Sequence, residues 1–451
     1  MAKVKIYIDG KEVLATEGAN LLHQARLNGF NIPGLCYHHK LTPTGACRLC
    51  LVKVEGQRGM VASCTLAVKE GMNIVAFDQE LEETRRFLLD YLVSEQNTHY
   101  DGTYPDELRE LMLRYGLDKP ENRFFKPVKA HVEFRVDSSS PVLTYDPSKC
   151  IKCFRCIKAC DEVQGKNVLS FYERGLNSFI VAGTGVWGDS ECDGCGECIQ
   201  LCPTGAIVEK PNREFIKIER VEQRVRTTCP YCGVGCQIEL LVQDGKIVRS
   251  NGVEGVSPND GRLCVKGRFG YEFVHSPDRL TVPLIRKNGE LVESSWDEAL
   301  TLIAQKFGEI KEKYGSDSLA GYASAKCTNE DNYIFQKFIR TVFGTNNIDY
   351  CTRLCHASTV TAMLKSIGDG AGSNSIEDFE TTDCLVVTGN NIIETHPITA
   401  TYVKRGAARG MKIIVIDPKW TPLGCLRHHL ATAPFGNRCG SAQRNGQGDY
   451  C

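Results

Sequence analysis

The chain has 451 residues, 54 basic against 55 acidic side chains, a net charge of −1 and 42% hydrophobic residues. That length predicts three or more domains. The charge balance speaks against a nucleic-acid or acidic-lipid partner, which selects a basic excess, and no apolar run of roughly 18 residues is present to span a membrane. The N-terminus enters an alternating strand pattern at once, with neither an apolar signal core nor a twin-arginine signal. The cytoplasm is therefore the expected location.

The outlying number is 23 cysteines. In a chain of this length without a signal peptide, such a count points to metal ligation rather than to a disulfide scaffold. Sixteen of them fall into four groups of four: Cys36, Cys47, Cys50 and Cys64; Cys150, Cys153, Cys156 and Cys160; Cys192, Cys195, Cys198 and Cys202; and Cys229, Cys232, Cys236 and Cys264. The other seven are Cys327, Cys351, Cys355, Cys384, Cys425, Cys439 and Cys451.

Residues 3–8 alternate as a strand, Asp9-Gly10 supplies a hairpin turn, and Glu12-Val13-Leu14 begins the return. Residues 20–28 read as a short helix that buries Leu21, Leu22 and Ala25 and stops at Gly29. A hairpin, a helix and a cysteine loop open a small β-grasp ferredoxin over 1–78. The spacing C-x10-C-x2-C-x13-C resembles the [2Fe-2S] domain of the complex I large subunit, iron-only hydrogenases and NAD-linked formate dehydrogenases, and Thr44, Gly45, Arg48 and Leu49 fit that likeness. A zinc knuckle is the alternative for this group.

Residues 80–128 hold no cysteine and read as two helices, 81–92 and 106–115, with Gly116 as a stop. The relatives often carry a cluster bound by one His and three Cys in this segment. Here Tyr100-Asp101-Gly102-Thr103-Tyr104 stands where the cysteines would be, so 79–138 is expected to be a linker without that cluster and His99 an ordinary surface residue.

The second and third groups, in a domain over 139–215, are each C-x2-C-x2-C-x3-C, and Pro203 follows the last cysteine. This bacterial ferredoxin spacing brings three thiolates from one tight loop to one cube and sends the fourth to the neighbouring cube. The expected sets are Cys150, Cys153, Cys156 and Cys202 for one [4Fe-4S], and Cys192, Cys195, Cys198 and Cys160 for the other. Gly183-Thr184-Gly185-Val186-Trp187-Gly188 has the form of a dinucleotide fingerprint after a strand at 178–182. It opens onto Asp189-Ser190-Glu191 rather than a helix, so it reads as a turn between clusters.

The fourth group, C-x2-C-x3-C-x27-C within 222–276, could by itself hold structural zinc. It closely resembles the [4Fe-4S] cap of molybdopterin-dependent oxidoreductases, and Lys266 occupies the family's lysine position between cluster and pterin. From 277 to 451 strands and helices alternate: strand 319–324, helix 331–343, buried strand 384–388, helix 398–408 and strand 412–416. The expectation is part of a doubly wound α/β domain with ligands at the carboxyl ends of its strands. Gly389, Asn391, Glu394, His396 and Asp417 stand at those ends and look like the family's pterin-guanine-dinucleotide contacts. The fold class is thus multidomain, α+β and α/β: a β-grasp [2Fe-2S] ferredoxin, a bacterial-type 2[4Fe-4S] ferredoxin, a [4Fe-4S] cap and a partial molybdopterin domain.

The segment from Gly344 through Cys351-Thr352-Arg353-Leu354-Cys355-His356 resembles the metal-ligand stretch of formate dehydrogenases. That likeness implies Cys355 as the ligand of molybdenum or tungsten, a soft thiolate suited to two-electron chemistry, and His356 in proton traffic. Cys327, Cys351 and Cys384 read as buried structural thiols. The likeness implies oxidation of formate to CO2, one [2Fe-2S] and three [4Fe-4S] clusters, a molybdenum or tungsten bis-(molybdopterin guanine dinucleotide), and a flavin-bearing NAD(P)-reducing diaphorase as partner. Two alternatives are an electron-transfer subunit of the complex I or hydrogenase kind, which Cys355-His356 disfavours, and another molybdopterin enzyme such as nitrate reductase. After Leu430 no Leu, Ile, Val or Met occurs. Back-translated and read one nucleotide later, 433–451 admit an amphipathic helix behind an Asp cap, so the tail, aberrant from about 425, is expected to be a frameshift product, with the second half of the pterin clamp cut off.

Overall fold

The computed structural model describes residues 2–128, 134–210, 216–417, 419–423 and the backbone of 429–431. Two compact units emerge, one of residues 1–272 with 376–451 and one of 273–375.

In the first unit, Val4, Ile6 and Ile8 alternate inward along strand Lys3–Ile8, while Asp9 and Gly10, both at positive φ, make the turn into Lys11–Thr16. The five-stranded sheet runs Lys11–Thr16, Lys3–Ile8, Asn73–Val75, Leu51–Val54, Met60–Ala62. Helix Leu21–Leu27 packs on it, its first turn closed by the Asn20 side chain, which accepts from the His23 amide at 3.1 Å. Two helices follow. Gln79–Ser94 is capped by Asp78 and Glu107–Arg114 by Asp106, and each has acidic residues in its first turn to match the helix dipole. Gly116, at positive φ, ends the second, as its sequence position implies.

The two cysteine runs fold alike. Lys152 and Phe154 in the first, and Gly194 and Gly196 in the second, hold left-handed backbone between the ligand positions. Each left-handed residue turns the chain sharply enough to aim successive thiols inward. Short helices Arg155–Lys158 and Glu197–Gln200 then begin. The first and last strands of this module, Leu143–Tyr145 and Ile207–Glu209, pair antiparallel, as do Leu169–Tyr172 and Phe179–Ala182. The glycine-rich stretch after that last strand leads into a short 3-10 turn, Trp187–Asp189, not a helix.

Three antiparallel strands, Gln223–Thr228, Gln237–Gln243 and Lys246–Gly252, carry the fourth cysteine group, and helix Val265–Phe269 follows its last member. Later in the same unit, strands Cys384–Thr388, Lys412–Ile416 and His429–Ala431 lie parallel. Helix Pro397–Ala408 covers one face through Ala400 and Val403, against Val387, Ile413 and Val415. Strand Cys384–Thr388 is only partly buried, contrary to its reading as a core strand: Val387 points in, while Val386 on the other face is 55% exposed. Covering one face leaves alternate residues in solvent.

The second unit holds hairpin Leu284–Lys287 and Glu290–Glu293, helix Trp296–Tyr314 capped by Ser295, and parallel strands Gly321–Ala323 and Ile348–Tyr350. Helix Asn329–Phe338 starts on a capping box of Thr328 and Asp331, two residues earlier than the periodicity implies, and runs into a π turn, Ile339–Phe343, that stops at Gly344.

Tyr104 is buried with its ring on Gly205, where an added Cβ would lie 1.9 Å from the ring. Gly205→Ala is expected to destabilise the unit by about 1–3 kcal/mol more than Gly56→Ala, an overpacking cost. Gly56 is also at positive φ but faces open space, so the difference in thermal midpoint between the two variants isolates the clash.

Candidate functional site

The first quartet forms where the loop after helix Leu21–Leu27 meets the sheet. Cys36, Cys50 and Cys64 are buried and Cys47 half-buried. Cys36 hydrogen-bonds with Cys47 and Cys64, and Cys50 with Cys64. Those shared bonds favour the thiolate of Cys36 and push Cys47 and Cys64 up, with burial adding to the rise. The Leu35 amide points at Cys47 Sγ at 3.4 Å. Four converging sulfurs with a peptide donor suit an iron–sulfur cluster.

In the ferredoxin module the fourth cysteine of each run leaves its own run. Cys150, Cys153, Cys156 and Cys202 line one small cavity with Tyr145 and Ile180. Burial pushes Cys150 up to about 11, and the neighbouring Cys202 adds to it. Cys198 is raised by burial and then by Cys195, Cys192 and Cys160, and the Val168 amide points at Cys160 Sγ at 3.3 Å. Cys229, Cys232, Cys236 and Cys264 pack with Val234, Ile238 and Leu263. Burial, with the three companion thiols, pushes Cys236 up to about 12. Uncompensated, so many buried thiols would stay protonated; a bound cation reverses that preference. The donor sets fit clusters.

The quartets are neighbours. Cys36 and Cys47 share a core with Ile151 and Cys153. Cys156 and Cys198 share another. Arg268, two residues after Lys266, donates to the Cys195 carbonyl at 2.9 Å. The series is the Cys36 set, the Cys150 set, the Cys192 set and the Cys229 set. Half-buried Lys266 lies on the helix at its far end.

Gly389 and Asp417 each follow the carboxyl end of one of two paired parallel strands, Cys384–Thr388 and Lys412–Ile416, and the Gly389 amide donates to the Ile416 carbonyl at 2.9 Å. Asn391 Oδ1 is buried there without a hydrogen-bond partner, an acceptor that suits a donor from a bound nucleotide. Glu394 and His396 belong not to a strand end but to a helical turn, Ile392–Thr395, and the residue after it. Pterin-dinucleotide contacts fit this edge. In the second unit Cys355 ends helix Thr352–Cys355, and both Cys355 and His356 are exposed, with Arg353 held by Asp349 at 2.6 Å.

Cys327, Cys351 and Cys384, expected as buried thiols, are all exposed. The second unit has a small core around Leu319, Ile339 and Phe343 that does not reach the first two. Cys384 begins a strand covered on one face only. Cys425, Cys439, Cys451, Pro418 and residues 433–451, read as frameshifted, lie outside the described residues. His99 is exposed as expected, and Tyr104 fills space beside Lys149 and Gly205.

Sequence reasoning missed three charged groups. Arg155 is buried between the first two quartets, and Arg268 is paired with buried Glu197 between the third and fourth. Glu254 meets His38, His39 and Lys40 of the Cys36 loop. The available signal was an Arg or Glu directly before a ligand cysteine, Arg155 before Cys156 and Glu197 before Cys198, both of which the structure buries.

Four stretches match known families: 1–78 a 2Fe-2S iron-sulfur cluster binding domain, 140–208 the ferredoxin-like domain of NADH-quinone oxidoreductase subunit 3, 222–276 the molybdopterin oxidoreductase Fe4S4 domain, and 279–439 molybdopterin oxidoreductase. "Probable oxidoreductase YjgC" of Bacillus subtilis (strain 168) is 32% identical over 464 residues, covering 92% of this chain and 46% of its own length. A "Putative formate dehydrogenase" of Staphylococcus aureus (strain bovine RF122 / ET3-1) is 31% identical, covering 91% and 45%. The chain spans about half the length of the curated relatives it matches. Among solved structures, an NAD+-reducing [NiFe]-hydrogenase chain is 30% identical at a TM-score of 0.42, over 46% of this chain and 88% of its own. Acetylene hydratase from Pelobacter acetylenicus is 26% identical at 0.38, over 46% and 29%. No helix of the described residues is long and apolar enough to cross a membrane.

Cys202→Ala is expected to alter the EPR signal of the cluster otherwise held by Cys150, Cys153 and Cys156 and to spare the Cys192 set. Selective damage to the Cys192 set instead would mean that each run keeps its own fourth thiol.

Proposed function

We propose that this chain, which carries a molybdopterin oxidoreductase domain and iron–sulfur domains, serves formate oxidation: formate yields CO2, a proton and two electrons, and the electrons leave toward a partner protein. The observation that carries the reading is the unbroken series of four thiol quartets, which begins at the helix bearing Lys266 and ends in the N-terminal β-grasp domain. Further support comes from the adjacent Cys355-His356 pair and from relatives that carry the name "Putative formate dehydrogenase".

The residues divide the work. Cys355 would hold molybdenum or tungsten, and Gly389, Asn391, Glu394, His396 and Asp417, with Lys266, would hold the bis-(molybdopterin guanine dinucleotide). When bound, the metal supplies two-electron chemistry and the clusters single-electron steps. His356, one residue on, would take the proton. The Cys36, Cys150, Cys192 and Cys229 quartets, with their crossed fourth thiols, would hold one [2Fe-2S] and three [4Fe-4S] clusters. The N-terminal domain would hand electrons to a flavin-bearing NAD(P)-reducing subunit.

Two measurements test this. Iron analysis of anaerobically reconstituted protein should saturate at about 14 atoms per chain, two from the [2Fe-2S] and four from each cube; about 18 would show a further cluster near His99. In protein purified with metal and pterin, Cys355→Ala should abolish formate-dependent dye reduction at unchanged iron content. Full formate activity in that variant would overturn the reading. Iron at the expected level with neither metal nor pterin would favour a purely electron-transferring subunit.

A further inference from the structure

One buried side chain reaches from the loop of the second quartet to that of the first. Arg155 stands immediately before Cys156 and is 2% exposed. Its Nη2 donates to the carbonyl of Tyr37, next to Cys36, at 2.8 Å, and its Nη1 to the carbonyl of Leu201, next to Cys202, at 3.5 Å. The same fork grips Glu107 at 2.5 and 3.0 Å. One guanidinium is thus tied to the ligand loops of two different quartets, and the only carboxylate hydrogen-bonded to it among the described residues comes from the cluster-free helical segment.

The two charges are not equally buried. The Glu107 side chain is 46% exposed, so water screens it, while the guanidinium has almost no contact with solvent. Arg268, at the opposite end of the series, makes an instructive contrast. It is as deeply buried and also bonds a ligand-loop carbonyl, but it faces Glu197, itself 1% exposed, at 3.6 Å. There burial raises the Glu197 carboxyl and Arg268 opposes that rise, so the cation faces a carboxylate shielded from water, as Arg155 does not. At Arg155 a net positive charge remains beside both clusters.

We infer that Arg155 is a positioning residue that docks the N-terminal domain onto the ferredoxin module and raises the reduction potentials of the clusters held by the Cys36 and Cys150 quartets. Reduction adds negative charge to a cluster, and a fixed nearby cation in a poorly screened site stabilises that form. Potentials raised at the exit end would draw electrons away from the end that carries Lys266. The inference rests on the cluster assignment proposed above.

The test is an EPR-monitored redox titration of the full reconstituted chain. Arg155→Gln should move the midpoints of the Cys36-set and Cys150-set clusters to more negative potential and leave the Cys229-set midpoint unmoved. Arg155→Lys, which keeps the charge but not the fork, should recover most of that shift. Glu107→Gln should move the same two midpoints the other way, and it keeps the test open if Arg155→Gln does not assemble. Unchanged midpoints at full iron content, or an equal shift of all clusters, would overturn the inference. Missing signals in the unsubstituted protein would count instead against the cluster assignment.

Discussion

Sixteen thiols must meet in fours inside one folded unit, and most of the first unit's architecture serves that convergence. Sulfur is large, and a buried thiol pair without a cation is a poor place for negative charge. The backbone answers with left-handed residues between ligands, Lys152 and Phe154 in one run and glycines at both equivalent positions in the other. It also answers with amides aimed at sulfur, from Leu35 and Val168. On the proposed assignment three ligands of each ferredoxin quartet would come from one loop and the fourth from the other, so neither loop would complete its site alone and cluster binding would be coupled to folding.

That dependence explains the long polar contacts among the segments. Arg155 reaches the Cys36 loop, Arg268 reaches the Cys192 loop, and Lys40 reaches both Glu254 and the Asp260 carbonyl of the cap. Each is a charged hydrogen bond between segments far apart in sequence. Each fixes how two ligand loops face one another, as an electron path needs. Packing adds to these contacts, with the Tyr104 ring seated on Gly205.

Much of this was legible in the sequence because ligand spacing is local. C-x2-C-x2-C-x3-C states a loop geometry outright, and strand Lys412–Ile416 agrees with its apolar run residue for residue. The exposure of Cys327, Cys351 and Cys384 was not legible. Burial depends on what packs above a residue, and a thiol carries no sign of it in its neighbours along the chain. The roles of Arg155 and Arg268 were hidden for a related reason, since their partners Glu107, Tyr37, Glu197 and Cys195 lie 48 and 118, or 71 and 73, positions away. The Cys355-His356 pair could be read by likeness, but its exposure on a short helical turn had to come from the structure.

Electron flow from the Lys266 end to the N-terminal domain depends on the order of the series. Pulsed EPR relaxation measurements on the fully and partly reduced reconstituted chain would read it directly, through the magnetic coupling between neighbouring paramagnetic clusters. The [2Fe-2S] cluster should couple most strongly to the cluster of Cys150, Cys153, Cys156 and Cys202, and the Cys229-set cluster most strongly to that of Cys160, Cys192, Cys195 and Cys198. A [2Fe-2S] signal coupled most strongly to the Cys229-set or Cys192-set cluster would contradict that order.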